Sequence, residues 1–176
     1  MGLDFAVFSC GRSGSTWTAA WLSRYATVLH DPAATQTLAD LDLWAEDTEG
    51  PAGISCTVGW LQGWAYELEK RNVPIVKLVR DSEAINRSFE RVGLPRLPPI
   101  VFEEFKGQPG ITVRLKNLTT NPLRAEFVLD HLVPSVEFDV VHWDEFRRMN
   151  IQPTEEVLEQ VRRLVRQRST PEGDEE

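Results

Sequence analysis

Small, hydroxyl-bearing and basic residues are concentrated in one short segment near the start of the sequence. The segment covers residues 9–17 and contains two glycines, three serines, a threonine and one arginine. Glycines let successive backbone N–H groups turn toward one point, and a helix that begins there adds partial positive charge. Arg12 supplies a full charge, while Ser15 and Thr16 offer hydroxyl groups that can donate hydrogen bonds and cap the helix. This segment predicts a phosphate-binding loop; the alternative is a strand-to-helix turn without a ligand.

The segment lacks the lysine that defines the phosphate-binding loop of nucleoside triphosphatases. In that loop a lysine directly follows the second glycine and reaches the β- and γ-phosphates, and a serine or threonine then binds magnesium. Here Gly14 is followed by Ser15. The missing lysine makes a nucleotide kinase or hydrolase a less favoured alternative.

A second group of polar residues follows the apolar segment 74–79. Arg80 ends the predicted strand, Asp81 is a good N-cap for the next helix, and Ser88 lies seven residues after Asp81 on the same helix face. A guanidinium group and a hydroxyl two turns away can bracket a phosphate monoester. Taken alone, the pattern is explained more simply by an ion pair at the strand end and an incidental serine.

Apolar runs alternate with amphipathic segments along the chain. The apolar runs predict strands at residues 4–8, 26–29, 54–57, 74–79, 111–115 and 136–141. The amphipathic segments predict helices, and the last of these helices is expected at 154–168. This order predicts a three-layer α/β/α fold whose sheet is mostly parallel and is covered by helices on both faces. Ligands of such sheets bind at the carboxyl ends of the strands, where residues 9–15, 30–31 and 80–81 all fall.

Two spaced motifs resemble those of the sulfotransferases. The run Gly11-Arg-Ser-Gly-Ser-Thr-Trp17 resembles the 5′-phosphosulfate-binding loop of that family, and Arg80 with Ser88 is similar to its 3′-phosphate motif. The resemblance implies a P-loop-like fold of the sulfotransferase type, in a short bacterial or phage-type member. It implies that the co-substrate 3′-phosphoadenosine-5′-phosphosulfate (PAPS) is held by Gly11, Arg12, Ser13, Gly14, Ser15, Thr16, Trp17, Arg80 and Ser88.

The resemblance also implies a reaction. A sulfuryl group would pass from PAPS to a hydroxyl or amine acceptor without a metal, and Arg12 would stabilise the leaving phosphate. The family places a histidine or carboxylate base near the end of the second strand, where this sequence has His30 and Asp31. Either residue could be the base, or Asp31 could orient His30; the alternative is a turn at Asp31-Pro32. A non-catalytic relative that only binds the nucleotide is a further alternative.

The composition of the chain limits the classes of protein to which it can belong. The 176 residues predict a single domain at 1–170 and an acidic tail at 171–176, which carries four of the negative charges behind the net charge of −8. An acidic body disfavours nucleic-acid binding, and the absence of a long apolar run disfavours a membrane protein. Two cysteines and no basic, apolar leader predict a cytoplasmic protein. The acceptor and the oligomeric state are left open.

Overall fold

The computed structural model describes residues 2–134 and 136–149. Its single sheet has five parallel strands in the order β2-β3-β1-β4-β5. The strands are β1 (Phe5–Ser9), β2 (Thr27–His30), β3 (Ala52–Cys56), β4 (Ile75–Val79) and β5 (Ile111–Arg114). The helices are α1 (Ser15–Leu22), α2 (Leu38–Glu46), α3 (Trp64–Lys70), α4 (Ser82–Arg91), α5 (Pro99–Lys106), α6 (Leu115–Thr120), α7 (Pro122–Leu132) and α8 (Val140–Phe146).

Two hydrophobic clusters cover the two faces of the sheet. Side chains of β1 alternate between them, so that Phe8 packs into the first cluster and Val7 into the second. The first cluster includes residues of α2, α3, α4 and α5, and the second includes residues of α1, α6, α7 and α8. This arrangement confirms the predicted three-layer architecture with helices on both faces.

The sheet order brings three carboxyl ends to one edge. β1 is central, with Phe8 aligned to Cys56 of β3 and Ser9 aligned to Leu78 of β4. Because the strands are parallel, the loops that follow β1, β2 and β4 leave from the same edge. The loop predicted to bind phosphate therefore lies between the segment that contains His30 and the segment that contains Arg80.

The predicted strand at 136–141 is wrong. Within the described residues, this segment contributes no strand, and Val140 begins α8. Asp139 caps that helix, because its carboxylate accepts a hydrogen bond from the His142 N–H at 2.9 Å. Trp143 is buried, and its indole N–H donates to the Leu118 carbonyl. A cap and one buried aromatic side chain outweigh the strand preference of the valines.

The predicted helix at 154–168 and the acidic tail at 171–176 lie outside the described residues. In the part of the chain that is described, no helix has the length and apolar character needed to span a membrane.

Candidate functional site

The loop after β1 turns sharply because three of its residues have left-handed backbones. Gly11, Arg12 and Gly14 have φ angles of 69°, 49° and 99°. Glycine adopts this conformation at little cost, whereas an arginine there is strained by about 1–3 kcal/mol. A Cβ atom on Gly14 would lie 2.6 Å from Leu115, at the start of α6. A glycine at position 14 therefore allows both the turn and the close approach of α6.

The start of α1 is held by the sheet and not by a capping side chain. Gly14 is the N-cap residue and no side chain caps the helix, which differs from the capping role expected for Ser15 and Thr16. The Ser55 hydroxyl of β3 donates to the Ser15 carbonyl at 2.9 Å and anchors the first turn. The positive end of the α1 dipole thus faces the carboxyl edge of the sheet without a carboxylate cap.

The two predicted phosphate-binding motifs are in direct contact. The Arg12 Nε atom donates a hydrogen bond to the Ser88 hydroxyl at 2.9 Å, and Arg80 Nη1 donates to the Arg12 carbonyl at 3.2 Å. Asp81 caps α4 as predicted, accepting from the Ala84 N–H. Burial and then the nearby charge of Arg80 lower the pKa of Arg12. An anion bound beside both guanidinium groups would relieve that repulsion.

The end of β2 brings a histidine and a carboxylate to the same loop. His30 Nε2 lies 3.2 Å from Asp31 Oδ2, 3.2 Å from the Ser15 hydroxyl and 3.3 Å from the Thr16 hydroxyl. The other carboxylate oxygen of Asp31 accepts two hydrogen bonds from Thr57, from its N–H at 2.5 Å and its hydroxyl at 2.8 Å. Asp31 is thereby fixed in a left-handed backbone conformation with a φ of 50°.

These groups line one cavity of about 1460 Å³ at the carboxyl edge of the sheet. Of the predicted site residues, only Ser13 does not line it. The Ser13 side chain is buried and donates to the Gly11 carbonyl, so it supports the shape of the loop. Trp17 lines the cavity but is largely buried, and its indole N–H donates to the Phe146 carbonyl.

Comparison with known proteins identifies a fold neighbour. No family model and no curated protein matches the sequence. Among solved structures, mouse sulfotransferase SULT7A1 complexed with PAP matches with a TM-score of 0.54 and 12% sequence identity. The chain shares a sulfotransferase fold. The alignment covers 83% of this chain and 63% of the mouse chain, so the chain spans less than two thirds of that protein. The predicted P-loop-like α/β fold class is thereby confirmed.

On this sulfotransferase fold, the cavity is strongly basic although the protein is acidic. The described residues that line it include two carboxylates, Asp31 and Asp81. They also include seven basic residues: Arg12, Arg80, Lys106, Arg114, Lys116, Arg124 and Arg147. Since the whole chain has a net charge of −8, positive charge is concentrated at this edge. Such a concentration attracts anionic ligands.

Sequence reasoning did not single out Thr57, which holds Asp31. Thr57 follows β3, and its only sequence signal is a hydroxyl just beyond a buried strand. The sequence also could not show that Leu115 meets Gly14, because this contact depends on the close approach of two distant segments.

Proposed function

We propose that the protein is a sulfotransferase that moves the sulfuryl group of PAPS to a hydroxyl or amine acceptor. The observation that carries the proposal is the contact among Arg12, Arg80 and Ser88 in a cavity at the carboxyl edge of a parallel sheet. Gly11, Arg12 and Gly14 to Thr16 would hold the 5′-phosphosulfate at the start of α1. Arg80 and Ser88 would hold the 3′-phosphate. The PAP complex of the mouse fold neighbour supports this choice of nucleotide.

The proposed step is a single displacement at sulfur. The acceptor oxygen or nitrogen forms a bond to sulfur, while the bond between sulfur and the 5′-phosphate oxygen breaks and its electron pair stays on that oxygen. The acceptor proton passes to the base, and the products are the sulfated acceptor and PAP. The negative charge that develops on the leaving phosphate is stabilised by Arg12 and the backbone N–H groups of the loop.

His30 is the proposed base, and Asp31 is placed to accept a hydrogen bond from Nε2 once that nitrogen has taken the proton. Asp31 Oδ1 already accepts two hydrogen bonds from Thr57, and Asp31 Oδ2 lies against His30 Nε2. The same nitrogen faces the hydroxyls of Ser15 and Thr16 at the loop, where an acceptor would approach the sulfuryl group. The Asp31 carboxylate beside His30 Nε2 stabilises the imidazolium that forms when His30 takes the proton of the acceptor.

Calorimetry with PAP tests the nucleotide assignment. We expect PAP to bind the wild-type protein at micromolar concentration, and we expect Arg12→Ala and Arg80→Ala each to weaken binding by about tenfold or more, because each removes a charge-assisted contact. Arg71→Ala is the matched control, since Arg71 is an exposed arginine that pairs with Asp42 and does not line the cavity. Preferential binding of ATP with magnesium, or equal PAP affinity in all variants, would reject the proposal.

A further inference from the structure

The cavity has two walls of different chemistry. On one side α4 presents Ser88 and the apolar side chain of Phe89, and Val92 follows directly after the helix, beside Arg80. On the other side α6 and α7 present Lys116 and Arg124 with the polar side chains of Asn117 and Thr119. The walls belong to opposite faces of the sheet, because α4 packs into the first hydrophobic cluster and α6 and α7 pack into the second.

The second wall lies directly beside the phosphate-binding loop. Leu115, the first residue of α6, occupies the space next to Gly14. Lys116 follows it in the chain, and Arg124 lies in the first turn of α7, which packs on α6. Two positive charges are therefore held on the side of the loop that faces away from α4.

Lys116 and Arg124 differ from several exposed arginines in having no carboxylate partner within the described residues. Lys116 and Arg124 form no ion pair within residues 2–134 and 136–149. The Arg124 guanidinium instead lies over the Phe127 ring, 5.7 Å from its centroid. In contrast, Arg24, Arg71 and Arg96 each contact a carboxylate at 3.1 Å or less. A negatively charged ligand can therefore supply the counter-charge for Lys116 and Arg124.

We infer that the acceptor of the proposed reaction is itself anionic and that Lys116 and Arg124 bind its negative group. The inference rests on the proposed function, in which Arg12, Arg80 and Ser88 already serve the phosphates of the nucleotide. Phe89 and Val92 give the nucleoside an apolar surface on the same wall. At about 1460 Å³ the cavity exceeds the roughly 300–1,000 Å³ typical of a site for one small ligand, which leaves room for a second molecule. The acceptor class is therefore a hydroxyl or amine compound that also carries a carboxylate, sulfate or phosphate.

Matched acceptors that differ by one charge test this inference. With PAPS saturating, sulfation rates are measured for 4-hydroxyphenylacetate against 4-hydroxyphenylacetamide and for methyl glucuronide against methyl glucoside. We expect the wild-type protein to show a KM about tenfold lower for the anionic member of at least one pair, from one charge-assisted contact. The variant Lys116→Gln/Arg124→Gln should lose this preference through a rise in KM for the anionic member, so that both members of the pair have a similar KM.

The control is Arg87→Gln/Arg91→Gln, which removes the same charge from exposed positions of α4 that do not line the cavity. It should keep the preference. The inference is overturned if neither pair shows a preference for the anion, or if the preference survives in Lys116→Gln/Arg124→Gln. It is also overturned if that variant weakens PAP binding in calorimetry and leaves the preference intact, because the two residues would then serve the nucleotide.

Direct binding separates failure of this inference from failure of the proposed function. A hyaluronan tetrasaccharide, which has hydroxyls and carboxylates, and neutral chitotetraose are titrated into the protein without nucleotide. Tetrasaccharide binding that depends on Lys116 and Arg124, with no PAP binding at all, would support the anion site and reject the sulfotransferase proposal. PAP binding and sulfation without any discrimination by charge would reject the anion site and leave the proposed function standing.

Discussion

Among single residues, Arg12 connects the two halves of the proposed nucleotide site. Its backbone is strained in the left-handed region, its side chain reaches Ser88, and its carbonyl accepts from Arg80. Strain of this kind persists only where the surrounding structure fixes it, and it concentrates at functional positions. The backbone and the side chain of one residue thus link β1 to β4 and α4.

The roles of His30 and Asp31 are separable by kinetics. His30→Gln should lower kcat by about 100-fold or more, because the base is lost, while PAP affinity stays within about twofold. Asp31→Asn should lower kcat less, since it keeps the hydrogen-bonding shape and removes only the charge beside the imidazole. Steady-state rates together with PAP calorimetry measure both effects. A larger loss in Asp31→Asn than in His30→Gln would assign the base to Asp31.

Cys10 gives a prediction for pH. Burial raises the pKa of its thiol to about 12, so the folded state keeps the proton that the unfolded chain loses near its ordinary pKa of 9.0. The free energy of unfolding should therefore fall as pH rises from about 9 toward 12. Urea titrations across this range should show a weaker fall in Cys10→Ala than in the wild type. Identical slopes in the two proteins would contradict the assignment, as would rapid alkylation of Cys10 in the native protein at neutral pH.

At the scale of elements, the loop and the starts of α1 and α6 form one unit. Gly14 ends the loop, caps α1 and gives space to Leu115 of α6. The first turn of α1 is in turn bonded to β3 through Ser55. A change in the loop is therefore transmitted to the second wall of the cavity.

Substitution of Gly14 tests this unit. Gly14→Ala should destabilise the protein by about 1–3 kcal/mol and weaken PAP binding, because alanine is strained at a φ of 99° and its methyl group would meet Leu115. Gly50→Ala is the matched control, since Gly50 has a φ of 79° and an added Cβ there meets nothing within 4 Å. Urea unfolding and calorimetry measure the two properties. Equal losses in both variants would show that backbone strain alone is responsible.

At the scale of the whole molecule, charge is divided between an acidic body and a basic cavity. The chain has a net charge of −8, yet the described residues that line the cavity include seven basic residues and only two carboxylates. The acidic body repels anionic ligands and the basic cavity attracts them, so anionic ligands are expected to enter at this one edge of the sheet. The distribution is compatible with the proposed binding of an anionic nucleotide by an acidic protein.

Salt should therefore affect ligand binding more than folding. Raising the ionic strength from well below to well above physiological values should weaken PAP binding by about tenfold, because the ligand and the exposed basic side chains are screened. The urea midpoint should change little, since isolated exposed ion pairs contribute only about 0–1 kcal/mol each. Calorimetry and urea titrations in the same buffers measure both. PAP affinity that does not respond to salt would contradict an electrostatic site.

Signals between neighbouring residues predict most of the secondary structure of this chain. Periodicity and caps predict the five strands and most of the helices, but not α6, whose first residue is expected to end a strand. Glycine content predicts the loop after β1. Spacing within one helix also placed Asp81 and Ser88 on one face. These features depend on neighbouring residues, so their signals lie close together in the chain. The strand predicted at 136–141 is wrong because apolar and acidic residues alternate there as they do in a strand, whereas Asp139 caps a helix.

Which distant residues share the site depends on the packing of the whole fold. It turned Ser13 inward, paired Thr57 with Asp31, and brought Lys116 and Arg124 to the same cavity as Arg12. The order of strands in the sheet and the packing of helices on its faces fix these contacts. Neither property follows from local pattern, because many arrangements of the same strands and helices bury similar apolar area.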